Sequence, residues 1–208
     1  RRWDESTAIL LLGDPPFSDV QKSQMEKEKG REKSREEARP SSLALASIPA
    51  APDSLLQRSA VSGNLEALEQ LPRLPATRHE VEDLSTLSRH STVLLGPDAS
   101  EQRLVAMAGS GELGKYRLIH LATHAWVNPE RPEESSLFLS RVDLPDPLAA
   151  AEKGERIYDS RLTAKEILQE WKLDADLVTL SGCQTALGQR VTGEGYVGFA
   201  HAFLQAGA

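Results

Sequence analysis

Apolar and polar positions fall along this chain in blocks. Short apolar runs closed by turn residues recur at Thr7-Ala-Ile-Leu-Leu-Leu-Gly13, Thr92-Val-Leu-Leu95, Tyr116-Arg-Leu-Ile-His-Leu-Ala122 and Leu177-Val-Thr-Leu180. Runs of this length, bounded by Gly, Pro, Asp or Ser, predict buried strands of a parallel sheet. Ser136-Leu-Phe-Leu139 predicts a further short strand. Between the runs, apolar residues recur at helical spacing: Val81, Leu84 and Leu87; Leu104, Val105 and Met107; Ile167, Leu168 and Trp171; Val197, Phe199, Ala200, Phe203 and Leu204. Thr77-x-x-Glu80, Asp98-x-x-Glu101 and Thr163-x-x-Glu166 each predict a capped helix start, and Gly207 suits a helix C-terminus. Alternating strands and helices predict an α/β fold, a mostly parallel sheet flanked by helices.

One stretch breaks the pattern. Residues 21–39 are dominated by Lys, Arg, Glu, Gln and Ser, and Pro40 to Pro52 continues as an Ala, Ser and Pro-rich connector. Strand-like sequence lies on both sides, so 21–52 is expected to be a charged, disordered insertion within one domain spanning 1–208. The net charge of −7 is spread among mixed signs with no basic stripe, so no direct nucleic-acid partner is expected. A single cysteine excludes an internal disulfide framework and fits a reducing, cytoplasmic compartment. The longest apolar run, Ala8 to Leu12, is far short of the roughly 20 residues of a membrane helix, so no membrane partner is expected. The chain opens at Arg1 and stops at Ala208 directly after an apolar helix, as a piece of something longer would.

The candidate chemistry lies at strand ends. In open α/β sheets ligands bind outside the carboxyl ends of the strands. The run from Leu177 ends in Ser181-Gly182 and delivers the chain's one cysteine, Cys183; the run from Tyr116 ends near His124. A thiol and an imidazole at two such ends are the minimum equipment for a cysteine nucleophile with its base. The competing reading makes Cys183 a small buried apolar residue and His124 a loop histidine. His120, Ala122 and His124 share a strand face, and about 13 Å separates the two histidines along it. His124 is the one nearer the active edge, and His120 reads as a buried histidine held by hydrogen bonds. That spacing, with no Cys-x-x-Cys or His-Glu-x-x-His, argues against a zinc site on His120, His124 and Cys183. Gly193-Glu-Gly195 lacks the lysine of a phosphate loop. Neither a metal nor a cofactor is expected.

Four blocks occur in order: His120-Leu-Ala-Thr-His-Ala125, Leu180-Ser-Gly-Cys-Gln-Thr185, Gly193-Glu-Gly195 and Ala202-Phe-Leu-Gln-Ala-Gly-Ala208. Together they resemble the CHAT domain of the caspase-like cysteine peptidase superfamily, which includes separase. Thr7 to Phe17, Leu71-Pro-x-Leu-Pro75 and Leu94-Leu-Gly96 are similar to earlier blocks of that family. The resemblance implies a caspase-like sheet, incomplete at the C-terminus. It further implies a cysteine endopeptidase with a His-Cys dyad acting on protein or peptide substrates in intracellular signalling. His124 would be the base and Cys183 the nucleophile, with the backbone N–H groups of Ala125 and Cys183 as oxyanion donors. TPR repeats elsewhere in the full-length chain are the implied partner. The family often has Gly where Ala125 stands and Ala where Gly182 stands; both changes are between small residues. A non-catalytic signalling or scaffold module that keeps the fold is the alternative. The P1 preference is open: Asp143, Asp146, Glu152, Glu155 and Asp159 lie in a 141–159 loop that could line the site.

Overall fold

The computed structural model of the protein describes residues 3–32, 51–61, 64–182 and 194–208. Four of the apolar runs form one sheet. β1 (Ile9–Gly13), β2 (Ser91–Leu95), β3 (Leu118–Ala122) and β7 (Leu177–Ser181) lie in the order β2-β1-β3-β7, all parallel. The register sets Gly13 beside Leu95 and Ala122, and Ala122 beside Ser181. The carboxyl ends are therefore level. The two strands expected to carry the candidate site, β3 and β7, are neighbours.

Helices cover both faces. α4 (Pro75–Ser85) packs on one, where Val81 closes over Ile9, Leu11 and Ala122. On the other lie α5 (Glu101–Gly109), α7 (Ala164–Glu170) and α8 (Glu194–Ala206). They bury Leu104, Met107, Ile167, Phe199 and Phe203 against Leu10, Leu12, Ile119 and Leu121. Period-two alternation along β1 and β3 produces this division, since successive side chains leave opposite faces. The chain leaves β1 through α4 on one face and leaves β3 through α7 on the other. The crevice between the ends of β1 and β3 is thus the topological switch point where such sheets bind ligands.

Over that crevice sits a second layer. β4 (Ala125–Trp126), β5 (Ser136–Phe138) and β6 (Arg161–Thr163) form a small antiparallel sheet, with α6 (Pro147–Lys153) in the loop between β5 and β6. A separate apolar cluster joins it to the rest. Leu55 and Leu56 of α2 (Asp53–Ser59) and Leu68 of α3 (Leu65–Glu69) pack with Phe17, Leu71 and Phe138. The charged stretch begins as a helix, α1 (Asp19–Glu32), mostly exposed but with Met25 buried at 3 % exposure.

Two of the three capping signatures serve other purposes. Pro75 opens α4, so Thr77 lies inside the helix; its hydroxyl donates to the Leu74 carbonyl and accepts from the Asp14 N–H, both at 2.8 Å. α5 is capped by Ser100, whose hydroxyl accepts from Arg103 N. Glu101 instead turns inward and accepts the N–H groups of Asp159 and Ser160, both at 2.9 Å. At Thr163 and Glu166 the reciprocal capping box forms as expected. A proline at N1 and a better cap one position before Glu101 decide the two exceptions.

Past α8, Gly207 adopts φ 109°, and a Cβ there would lie 2.3 Å from the Leu173 carbonyl oxygen. Glycine at this position lets the chain end dock on the loop before β7.

Candidate active site

His124 is built from both sides. It stands two residues past β3, 2 % exposed, and its carbonyl accepts the Phe138 N–H at 2.9 Å. Thr123, just before it, donates its hydroxyl to the Phe138 carbonyl. β5 thereby fixes the backbone that carries the ring. The Phe17 ring lies 5.5 Å from the imidazole, centroid to centroid, tilted by 39°. The ring's Nε2 donates to the Pro72 carbonyl at 2.8 Å.

A carbonyl oxygen only accepts, so that hydrogen bond assigns the tautomer: Nε2 carries the proton and Nδ1 is the nitrogen free to take one. Burial lowers the His124 pKa below its ordinary 6.5, with the Pro72 carbonyl acting in the opposite sense. The imidazole is neutral at pH 7. A buried, neutral histidine of defined tautomer is the form a general base needs.

The β7 side is visible as far as Gly182; Cys183 lies outside the described residues. Thr123 N donates to the Ser181 carbonyl at 3.1 Å, so pairing between the two strands runs to their ends. A Cβ added to Gly182 would lie 2.9 Å from the Thr123 carbonyl oxygen and 3.9 Å from Ala125 N. Gly182 therefore lies directly against the segment Thr123-His124-Ala125. The exchange of Ala for Gly at 182 is not neutral in this arrangement, because a methyl group would press on a backbone oxygen.

His120 is placed differently. It is 7 % exposed on the face covered by α4; its Nδ1 shares a hydrogen bond with Thr179 Oγ1 at 2.6 Å. Its Nε2 stands 3.1 Å from Glu80 Oε1 but without the alignment of a hydrogen bond. His120 holds the Glu80 carboxyl below the usual carboxylate range, and Ser181 Oγ donates to the other Glu80 oxygen at 3.2 Å. This is the buried, hydrogen-bonded histidine expected from the sequence.

The acidic residues of the 141–159 loop have structural partners or face solvent. Asp143 pairs with Lys22 at 2.8 Å, Asp146 caps α6, and Asp159 pairs with Arg161 at 2.7 Å; Glu152 and Glu155 are exposed. Among the described residues no group of three or more His, Cys, Asp or Glu is arranged to hold a metal ion.

The family model of the CHAT domain matches residues 7–208. The chain belongs to the CHAT domain family. Its caspase-like, peptidase-related character thus rests on nearly the whole chain as well as on the four short blocks. No curated protein and no solved structure matches it. Within this CHAT domain no described helix is long and apolar enough to cross a membrane.

Sequence reasoning missed the Pro72 carbonyl. The block Leu71-Pro-x-Leu-Pro75 was the available signal, but backbone groups leave no residue-type signature. Asp14 was also missed: it directly follows β1 with φ 48° and is fully buried.

Proposed function

We propose that this CHAT domain is a cysteine endopeptidase that hydrolyses peptide bonds in protein substrates, with Cys183 as nucleophile and His124 as base. One observation carries the reading: a buried imidazole at the carboxyl end of β3, its Nε2–H held by the Pro72 carbonyl, one strand from the run that leads into Cys183. His124 Nδ1 accepts the thiol proton, and the thiolate attacks the scissile carbonyl. The imidazolium returns the proton to the departing amine, leaving a thioester; water, deprotonated by the same imidazole, then releases the acid. The backbone N–H groups of Ala125 and Cys183 are the oxyanion donors, each worth about 3–4 kcal/mol of barrier in well-studied hydrolases. A carbonyl in place of an orienting carboxylate makes this a dyad, with Pro72 in the third role. The setting proposed with it is intracellular signalling in the cytoplasm, beside TPR repeats in the same full-length chain.

The test is cleavage of a peptide library by the full-length protein and its variants. Cys183→Ala and His124→Ala are each expected to lower turnover by several orders of magnitude, and the double variant to be little worse than either. Cys183→Ser should not rescue, since a hydroxyl is far less ionised than a thiol beside the same base. A histidine pKa below 6.5 places the acidic limb of kcat/KM below pH 6.5, with activity rising as the pH rises through it. A Cys183→Ala protein that still cleaves leaves the scaffold module as the function.

A further inference from the structure

The segment that orients His124 is itself gripped by charged groups with no part in the peptidase chemistry. Asp14, at the carboxyl end of β1, is fully buried in the left-handed region at φ 48°. Arg73 forks onto it, Nε to one carboxylate oxygen and Nη2 to the other, both at 2.9 Å. Arg78 Nε adds a third bond at 2.9 Å. Glu28 of α1 takes the outer edge of Arg73 at 2.7 Å. Arg73 directly follows Pro72.

The neighbouring peptide units are tethered too. Gln21 Nε2 donates to the Leu71 carbonyl at 2.8 Å, and Thr77 Oγ1 donates to the Leu74 carbonyl at 2.8 Å. Thr77 Oγ1 in turn accepts the Asp14 N–H at 2.8 Å. Residues 71, 73 and 74 are thus each held, two of them through groups that also hold Asp14. Between these tethers the Pro72 carbonyl faces the active edge and accepts from His124 Nε2 at 2.8 Å.

A buried ion pair is a weak source of net stability, because desolvation offsets most of its Coulomb gain. What a bidentate fork supplies better than apolar packing is geometry: two parallel bonds fix both distance and plane. A hydrogen bond of 2.8 Å is lost once its acceptor recedes by about 1 Å. Neutral histidine then populates both tautomers, and the one with Nδ1–H cannot accept a proton at that atom. We propose that Asp14 and Arg73 are a positioning pair for His124: by clamping the 71–74 segment they hold the Pro72 carbonyl on Nε2 and keep the imidazole in its Nδ1-basic tautomer. Gln21 of α1 supports the same segment from its other end. The consequence for catalysis rests on the peptidase reading; the tautomer itself does not.

The test reads the tautomer and the thiol separately. Long-range nitrogen-15 spectra of the histidine rings, on full-length protein at pH 7.5 with His124→Gln for assignment, should show His124 only as Nε2–H. Arg73→Lys retains the charge facing Asp14 but loses the fork. Gln21→Leu loosens the segment without touching the ion cluster and serves if the first variant fails to fold. Each is expected to bring up the Nδ1–H form by roughly fivefold in ratio, the loss of one ordinary hydrogen bond. Alkylation by iodoacetamide, followed by mass spectrometry on the peptide that carries Cys183, reports on that thiol whatever other cysteines the full-length protein has. The variants should slow it at pH 7 by the share of His124 that moves to the Nδ1–H form and leave it unchanged above the thiol pKa. Folded variants with His124 still wholly Nε2–H overturn the clamp. Wild-type Cys183 that reacts no faster than a free thiol overturns the peptidase reading instead, with the tautomer result still deciding the clamp.

Discussion

Replacing Glu101 by Gln tests how the second layer is fastened to the main sheet. The Glu101 carboxylate accepts the N–H groups of Asp159 and Ser160, and Ser160 itself is strained at φ 62°. These amides open β6, which pairs with β5, which pairs with β4 and Ala125. The carboxyl side chain is 3 % exposed, and burial pushes its pKa up from 4.5 to about 7, with the charges of Asp159 and Glu166 adding to the rise and Arg156 opposing it. An acid whose folded pKa is raised contributes stability that is complete below its unfolded pKa and is lost as the pH rises through its folded one. The window is therefore pH 4.5 to about 7, and the loss over it is about 3 kcal/mol at 1.36 kcal/mol per unit. Gln is an isostere of the protonated acid: its oxygen accepts both amides and no charge appears on raising the pH. The measurement is urea unfolding of both proteins from pH 4.5 to 8, taking the difference between them at each pH so that other titrating groups cancel. Near pH 4.5 the two should be nearly equal; above pH 7 the Gln protein should be the more stable by about 3 kcal/mol. A difference that stays flat with pH would mean that the two amides and Arg156 keep Glu101 ionised throughout, and the reasoning from burial would be refuted.

Gly182→Ala should cost about 1–3 kcal/mol, because its methyl group meets the Thr123 carbonyl oxygen at 2.9 Å and one strand end must move. Denaturant midpoints check it, and an unchanged midpoint would show that β7 ends with more room than the structure has. Thr163→Ala should cost about 1 kcal/mol by removing the hydroxyl that accepts Glu166 N, with α7 the region that loses amide-exchange protection first. Protection lost equally everywhere would mean α7 does not open separately.

Much of this was readable from local pattern. Runs of apolar residues between turns determined the strands, because a sheet covered on both faces needs apolar side chains in both directions. Thr7–Gly13 and Leu177–Leu180 became β1 and β7 within two residues of their expected bounds. The expectation of His124 over His120 came only from which end of a parallel sheet is open, since the two share a strand face. What pattern could not decide was which groups meet across the chain. Thr77 and Glu80 have the spacing of a cap, yet Thr77 serves Asp14 and Glu80 serves His120 and Ser181. Glu101 has the same spacing and holds a loop 58 residues away. The partner of His124 is a backbone oxygen 52 residues distant. Periodicity reports which side of an element is apolar. A hydrogen bond between side chain and distant backbone depends on how three or four elements pack at once, and only the tertiary structure states that.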